Sequence, residues 1–301
     1  MNVVELMARA RDVTSTRLSP DDVLLTGRTV VVTGGGGGIG LGIALGAARF
    51  GADVAVIDID EQRCAAAVAA LDQHGHRALA VHCDVRDTGA LRSAVQQVGD
   101  EFGRLDVLVN NAGGTRGGAF LTQPEASMRN HIDINLMSML VASQEAARAM
   151  VRFGNGGSIV NVASIEGMRA APRYAVYAAC KAGMVNFTRT AAVELAEHGI
   201  RVNCIAPDHT ISPGTKGNGT GPVTPDTWPD TDDSWGLLIP AGREGLVDEC
   251  AGVAVWLSSP MAGYVTGVTV NVDGGTWASS GWLRDGDGGW TLNPNGTETL
   301  L

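Results

Sequence analysis

Seven short runs rich in valine and isoleucine recur along this chain, and longer segments of helical period separate them. The runs are TVVVT (29–33), DVAVID (53–58), ALAVHC (78–83), LDVLVN (105–110), SIVNVA (158–163), IRVNCIA (200–206) and VTVNV (268–272). A strand buried on one face alternates apolar with polar residues. A strand covered on both faces reads as an almost continuous apolar run, as these do. Segments 39–50, 61–74, 88–102, 125–152, 175–198 and 247–258 have the longer period expected of helices. Repeated β-α-β units require right-handed crossovers, so the chain is expected to form an α/β, doubly wound parallel sheet of about seven strands with helices on both faces.

Composition narrows the function. The formal net charge is −10, and no block of Lys or Arg interrupts it, which argues against nucleic acid and anionic membranes as partners. The five cysteines, at 64, 83, 180, 204 and 250, form no C-x-x-C, and the six histidines lack ligand spacing. Free thiols in a reducing, cytoplasmic compartment are expected, with no metal site. No apolar run is long enough to span a bilayer, and residues 1–26 read as an N-terminal extension without a signal-peptide core. Two regions break the alternation. Residues 208–240 are crowded with Gly, Pro, Thr and Asp and read as a substrate loop or lid, and the tail 278–301 carries Trp282 and Trp290 among Gly, Asp and Asn. Residues 27–277, which hold all seven runs, are expected to form one domain.

The stretch TGGGGGIG (33–40) closes the first strand and opens the first helix. Glycines at Gly34, Gly37, Gly38 and Gly40 let the backbone turn tightly and approach a pyrophosphate, while the free N–H groups and dipole at the helix start, around Ile39, favour its charge. A glycine run alone also fits a flexible turn. Its position, with Asp58 ending the second strand, points to a Rossmann-type dinucleotide site. A carboxylate there accepts bonds from the adenosine ribose and repels a 2′-phosphate. No Arg or Lys occupies 34–38 or 59–62, so NAD is the expected cofactor.

Further motifs follow in order: CDV (83–85), NNAG (110–113), Asn135 within DINL, Ser164, Tyr177-x-x-x-Lys181 and VDGG (272–275). The ordered set resembles the short-chain dehydrogenase/reductase family in its ordinary single-domain form, from about residue 27 to 277. The resemblance implies that Ser164 binds the substrate oxygen and that Tyr177 is the general acid–base. Lys181 would hold the nicotinamide ribose and lower the tyrosine pKa, and Asn135 would hold a water linking Lys181 to solvent. Asp84 and Val85 would meet adenine, Asn111, Ala112 and Gly113 would lie along the cofactor, and Pro207 and Thr210 would contact it. Where the family has Pro-Gly, this chain has Pro207-Asp208. Tyr174 has no lysine four residues on, so it is expected to line the substrate side or pack.

Physical chemistry supports the Tyr–Lys pair independently. Residues four apart share a helix face. A phenol titrates near about 10 and is a poor base at neutrality. An ammonium roughly 4 Å away, at an effective dielectric of about 20, contributes on the order of 4 kcal/mol, enough to bring it to about 7. The expected activity is NAD-dependent interconversion of a small-molecule secondary alcohol and a ketone, on a bulky apolar or alicyclic skeleton. The alternatives are a 3-oxoacyl-thioester reductase and, in a different class, a non-catalytic NAD-binding sensor or scaffold. The resemblance also implies a homotetramer.

Overall fold

A computed structural model describes residues 18–212, 234–284 and 289–292. Most of the expected lid, residues 213–233, and parts of both terminal segments lie outside the described residues. The sheet strands are β1 (Thr29–Thr33), β2 (Asp53–Asp58), β3 (Ala78–His82), β4 (Val107–Asn110), β5 (Gly157–Val162), β6 (Ile200–Pro207) and, later in the chain, β9 (Thr269–Val272). All neighbours are parallel, in the order β3-β2-β1-β4-β5-β6-β9. The Rossmann-type, doubly wound α/β sheet is therefore present, with seven strands.

The continuous apolar runs bury on both faces because successive side chains point to opposite sides. Val30, Val32, Val54, Val56, Val107 and Val109 face one core, which is closed by α1 (Gly38–Arg49) and α8 (Val247–Ser258). Val31, Ala55, Ile57, Leu108 and Ile159 face the other. That side is closed by α3 (Thr88–Phe102), α5 (Ser138–Phe153) and α6 (Ala175–Glu194), while α2 (Glu61–Leu71) packs beside β2 and β3. Gly42 and Gly46 let α1 approach α8 closely: a Cβ built on Gly42 would lie 3.0 Å from Val247 Cβ.

The sequence pattern suggests one unbroken helix over 125–152. Instead α4 (Glu125–Ile132) passes through a π-helical turn, Asp133–Met137, into α5. The widened turn carries Asn135, whose side chain leaves the helix to bond a neighbouring loop. A tertiary contact, not a helix-breaking residue, causes the interruption.

Beyond β6, β7 (Thr210–Ile211) pairs with β8 (Gly245–Leu246), and between them lies α7 (Ser234–Leu238). Trp235 on α7 packs against His209, ring centroids 3.8 Å apart. After β9 a short helix, α9 (Thr276–Ser279), leads into a small hairpin of β10 (Leu283–Arg284) and β11 (Trp290–Thr291), with the Arg284 guanidinium 4.3 Å from the Trp290 ring. β10 lies against α7 of the same chain, so the described part of the tail docks on its own subunit.

Candidate active site

The carboxyl ends of β1, β2, β4, β5 and β6 open onto one edge of the sheet, and the expected site residues gather there. In a doubly wound sheet this edge is where ligands bind, because loops leaving in opposite directions part to form a crevice.

The glycine loop is tied down from two sides. Asn111 Nδ2 donates to the carbonyls of Thr33 and Gly34, both at 3.1 Å, and Thr33 Oγ1 accepts from the N–H groups of Asn111 and Ala112. Gly34 and Gly38 take left-handed φ of 62° and 55°, which favours glycine. A Cβ on Gly40 would collide with the Gly34 carbonyl and the Asn111 amide. By contrast, a Cβ on Gly37 would meet only the Arg63 side chain, 3.9 Å away. The start of α1, Gly37 through Gly40 with Ile39, has no side-chain cap. An open backbone concavity facing uncapped N–H groups fits the pyrophosphate of a dinucleotide.

Asp58 is buried at the end of β2. Its Oδ2 accepts from Gly36 N at 3.0 Å and its Oδ1 from Asp60 N at 3.1 Å. The carboxylate therefore shapes the loop as well as standing where a ribose would lie. Asp60 caps α2 by accepting from the N–H groups of Gln62 and Arg63. That cap sets Arg63 at the first turn of α2, over Gly36 and Gly37. Sequence reasoning stopped one position short of this cation; the cap at Asp60 is the signal that could have found it.

Asp84 holds Arg86 through both carboxylate oxygens, which keeps its carboxyl below the usual range, and Asp87 caps α3. Val85 is buried beside it. Thr210 is turned inward, its hydroxyl donating to the Asp208 carbonyl and facing Cys250. Ser212, which the sequence reading did not single out, stands nearer the glycine loop: a Cβ on Gly38 would lie 3.7 Å from its Cβ. Pro207 ends β6 opposite Val272 of β9. Asp208 does not adopt the positive φ that a family glycine would make available.

Ser164 leaves β5 and caps the next short turn, its Oγ accepting from Glu166 N at 3.2 Å. Ser164 and Tyr177 are close enough for the serine hydroxyl to act on the phenol. Burial raises the Tyr177 phenol above its ordinary range, the Ser164 hydroxyl lowers it, and the Glu166 charge raises it further. Lys181 is buried, with Nζ donating to the Val162 carbonyl at 2.7 Å and lying 5.5 Å from the Tyr177 ring centre. Burial lowers its pKa to about 8. The expected downward pull of Lys181 on Tyr177 is thus not what these groups produce between themselves. Desolvation outweighs it, because the ammonium is turned to a backbone carbonyl instead of the phenol oxygen.

Asn135 is wholly buried. Its Nδ2 donates to the carbonyls of Gly114 (2.8 Å) and His131 (3.0 Å), and its Oδ1 accepts from Gly114 N (3.0 Å). Gly113 lies in the gap between Asn135 and Lys181, where a Cβ would come within 2.8 Å of Asn135 Oδ1. Tyr174 precedes α6 and packs its ring over Gly117. Among the described residues, no group of side chains could hold a metal ion.

Ser164 follows β5, and Lys181 on α6 is bonded to the last residue of β5, at the sheet edge that also carries the glycine loop. A family model described as enoyl-(acyl carrier protein) reductase matches residues 34–276. A 3-oxoacyl-[acyl-carrier-protein] reductase of Chlamydia pneumoniae is 36% identical over 254 residues, 84% of this chain and 98% of that one. The L-rhamnose 1-dehydrogenase (NAD(P)(+)) of a Sphingomonas strain is 37% identical over 262 residues, 85% and 98% of the two chains. The chain is a short-chain dehydrogenase/reductase. A solved 7α-hydroxysteroid dehydrogenase, complexed with NADH and 7-oxo glycochenodeoxycholic acid, superposes with a TM-score of 0.78 at 32% identity. It covers 86% of this chain and 97% of its own. This short-chain dehydrogenase/reductase is accordingly an oxidoreductase of alcohols and ketones that uses a nicotinamide cofactor.

Proposed function

We propose that the enzyme is NAD-dependent and interconverts a secondary alcohol and a ketone, with Ser164, Tyr177, Lys181 and Asn135 as its working set. The observation that carries this reading is Tyr177 beside Ser164, with buried Lys181 5.5 Å from the Tyr177 ring centre. The nicotinamide cofactor, when bound, supplies the hydride acceptor or donor. Ser164 orients the substrate oxygen, and Tyr177 takes its proton during oxidation or returns it during reduction. Lys181, anchored on the Val162 carbonyl beside Tyr177, would hold the nicotinamide ribose. Asn135 fixes the Gly113–Gly114 backbone against which a nicotinamide ring would rest.

Asp58 supports NAD, because a buried carboxylate at the ribose position repels a 2′-phosphate. Arg63 lies close enough to offset part of that repulsion, so the preference is one of degree. Gly34, Gly37, Gly38, Ile39 and Gly40 would hold the pyrophosphate, Asp84 and Val85 the adenine, and Asn111, Ala112, Gly113 and Pro207 the remainder. A 3-oxoacyl-thioester reductase is the second reading, favoured by the Chlamydia pneumoniae relative. We take 27–277 as the catalytic domain, between an N-terminal extension and the tail. We also infer a cytoplasmic homotetramer. All five cysteines are free and buried, and a groove between α5 and α6, lined by Leu140, Ala147, Val151, Phe187 and Leu195, offers a face for a second copy. No helix among the described residues is long and apolar enough to cross a membrane.

The test is a panel of secondary alcohols, hydroxysteroids and 3-hydroxyacyl thioesters with NAD⁺, read by NADH absorbance. Oxidation of alcohols with NAD⁺ supports the reading. Turnover confined to thioesters with NADP⁺ favours the second one.

A further inference from the structure

Three charged side chains stand together next to the Ser164–Tyr177 pair. Arg169 donates to Glu166 Oε1 from Nη2 at 2.7 Å and from Nε at 3.2 Å. The same Nη2 lies 3.6 Å from Asp208 Oδ1. The Asp208 side chain is only 6% exposed, yet it occupies the position where the family has glycine. Burial pushes the Arg169 guanidinium down, but the bond and charge of Glu166, with the charges of Asp208 and Asp273, carry it above its ordinary value. Carboxylates therefore outnumber the single guanidinium at this wall.

Glu166 reaches the reacting centre in two ways. Its N–H donates to Ser164 Oγ at 3.2 Å, and its charge acts on the Tyr177 phenol. Both bonds from Arg169 fall on Oε1; Glu166 Oε2 accepts no hydrogen bond among the described residues. A hydrocarbon laid against these groups would strip water from carboxylates and return nothing. A substrate carboxylate or phosphate would meet like charge. A hydroxyl O–H satisfies a carboxylate with a charge-assisted hydrogen bond.

We propose that the substrate is a neutral polyhydroxy compound whose carbinol neighbour carries a hydroxyl that donates to Glu166, with Arg169, itself held by Asp208, keeping that carboxylate in place. This replaces the apolar skeleton expected from the sequence and rests on the alcohol–ketone reading above. One carbinol carbon loses hydride to oxidised nicotinamide, its O–H proton passes to Tyr177, and the product is an α-hydroxyketone with one reduced nicotinamide. The hydroxyl bound by Glu166 is unchanged.

Matched pairs test it on the full-length enzyme with NAD⁺: 2,3-butanediol against 2-butanol, and trans-1,2-cyclohexanediol against cyclohexanol. The expected kcat/KM favours each diol by about tenfold or more, chiefly through KM, because a site built for a hydroxyl rejects the analogue lacking it. Glu166→Gln keeps the N–H bond to Ser164 but should shrink the diol-to-mono-ol ratio by about tenfold. Asp208→Gly, which installs the family residue, should shrink it as well, and NADH binding by fluorescence shows that either variant is folded. A wild type that prefers the mono-ols overturns the proposal, as do ratios unchanged in both variants. If no alcohol is oxidised at all, the dehydrogenase reading fails and this inference falls with it.

Discussion

Lys181 Nζ donates to the Val162 carbonyl at 2.7 Å from a buried position, and no carboxylate among the described residues pairs with it. Its pKa is lowered by burial to about 8. The folded state therefore binds this proton more weakly than the unfolded chain does, and carrying it near neutrality costs on the order of 3 kcal/mol. Between pH 8 and 10.5 the unfolded chain holds the proton that the folded chain has released, so the cost fades as pH rises. Lys181→Met should abolish activity and yet stabilise the fold at pH 7 by roughly 1–3 kcal/mol, less than the full cost because the Val162 carbonyl loses its donor. The gain should shrink at pH 9.5. Denaturant unfolding of both proteins at the two pH values checks this, and a destabilised variant at pH 7 counts against it.

Cofactor choice turns on Asp58 and Arg63. Asp58→Ala removes both the ribose partner and the acceptor for Gly36 N, so NADH binding should weaken by about tenfold or more. NADPH binding should improve relative to it. Arg63→Ala should leave NADH binding within about threefold and weaken NADPH by about tenfold, since only the 2′-phosphate needs the cation. Fluorescence titrations of wild type and both variants with NADH and NADPH give the six dissociation constants. Equal losses of both cofactors in Arg63→Ala would mean that Arg63 serves the loop instead of the phosphate.

The tail should tune the substrate side and leave the cofactor side alone. The β10–β11 hairpin lies against α7, which is itself anchored by the Trp235–His209 contact beside Asp208. Truncation after Ser279 should leave the NADH dissociation constant unchanged and raise KM for a large alcohol more than for a small one. Equal KM values before and after truncation, on both alcohols, would reduce the hairpin to a surface ornament.

The seven strands were legible because burial on both faces leaves a signal that needs no tertiary knowledge: runs such as TVVVT have no polar face to show. The proposed catalytic set could be picked out because Asn135, Ser164, Tyr177 and Lys181 keep fixed intervals beside particular strands. Other features depend on contacts between distant segments. The π-helical turn at Asp133–Met137 exists because Asn135 bonds Gly114, and nothing local in DINLM marks it. Helical spacing placed Lys181 and Tyr177 on one face, but not the Val162 carbonyl that draws the ammonium away. The spacing of Thr210 and Ser212 gave no sign that Cys250 would face the first hydroxyl. The charged wall joins the loop after β5 to the residue after β6, and only the fold brings those together.

The most direct test of the whole account is hydride transfer by Tyr177→Phe beside Tyr174→Phe. Tyr177 lies beside Ser164 and buried Lys181, whereas Tyr174 packs over Gly117. Alcohol oxidation measured as NADH formation should fall by about 10²–10⁴-fold in Tyr177→Phe, with NADH still bound, and by only a few-fold in Tyr174→Phe. Similar rates in the two variants would contradict the assignment of Tyr177 as the group that moves the proton.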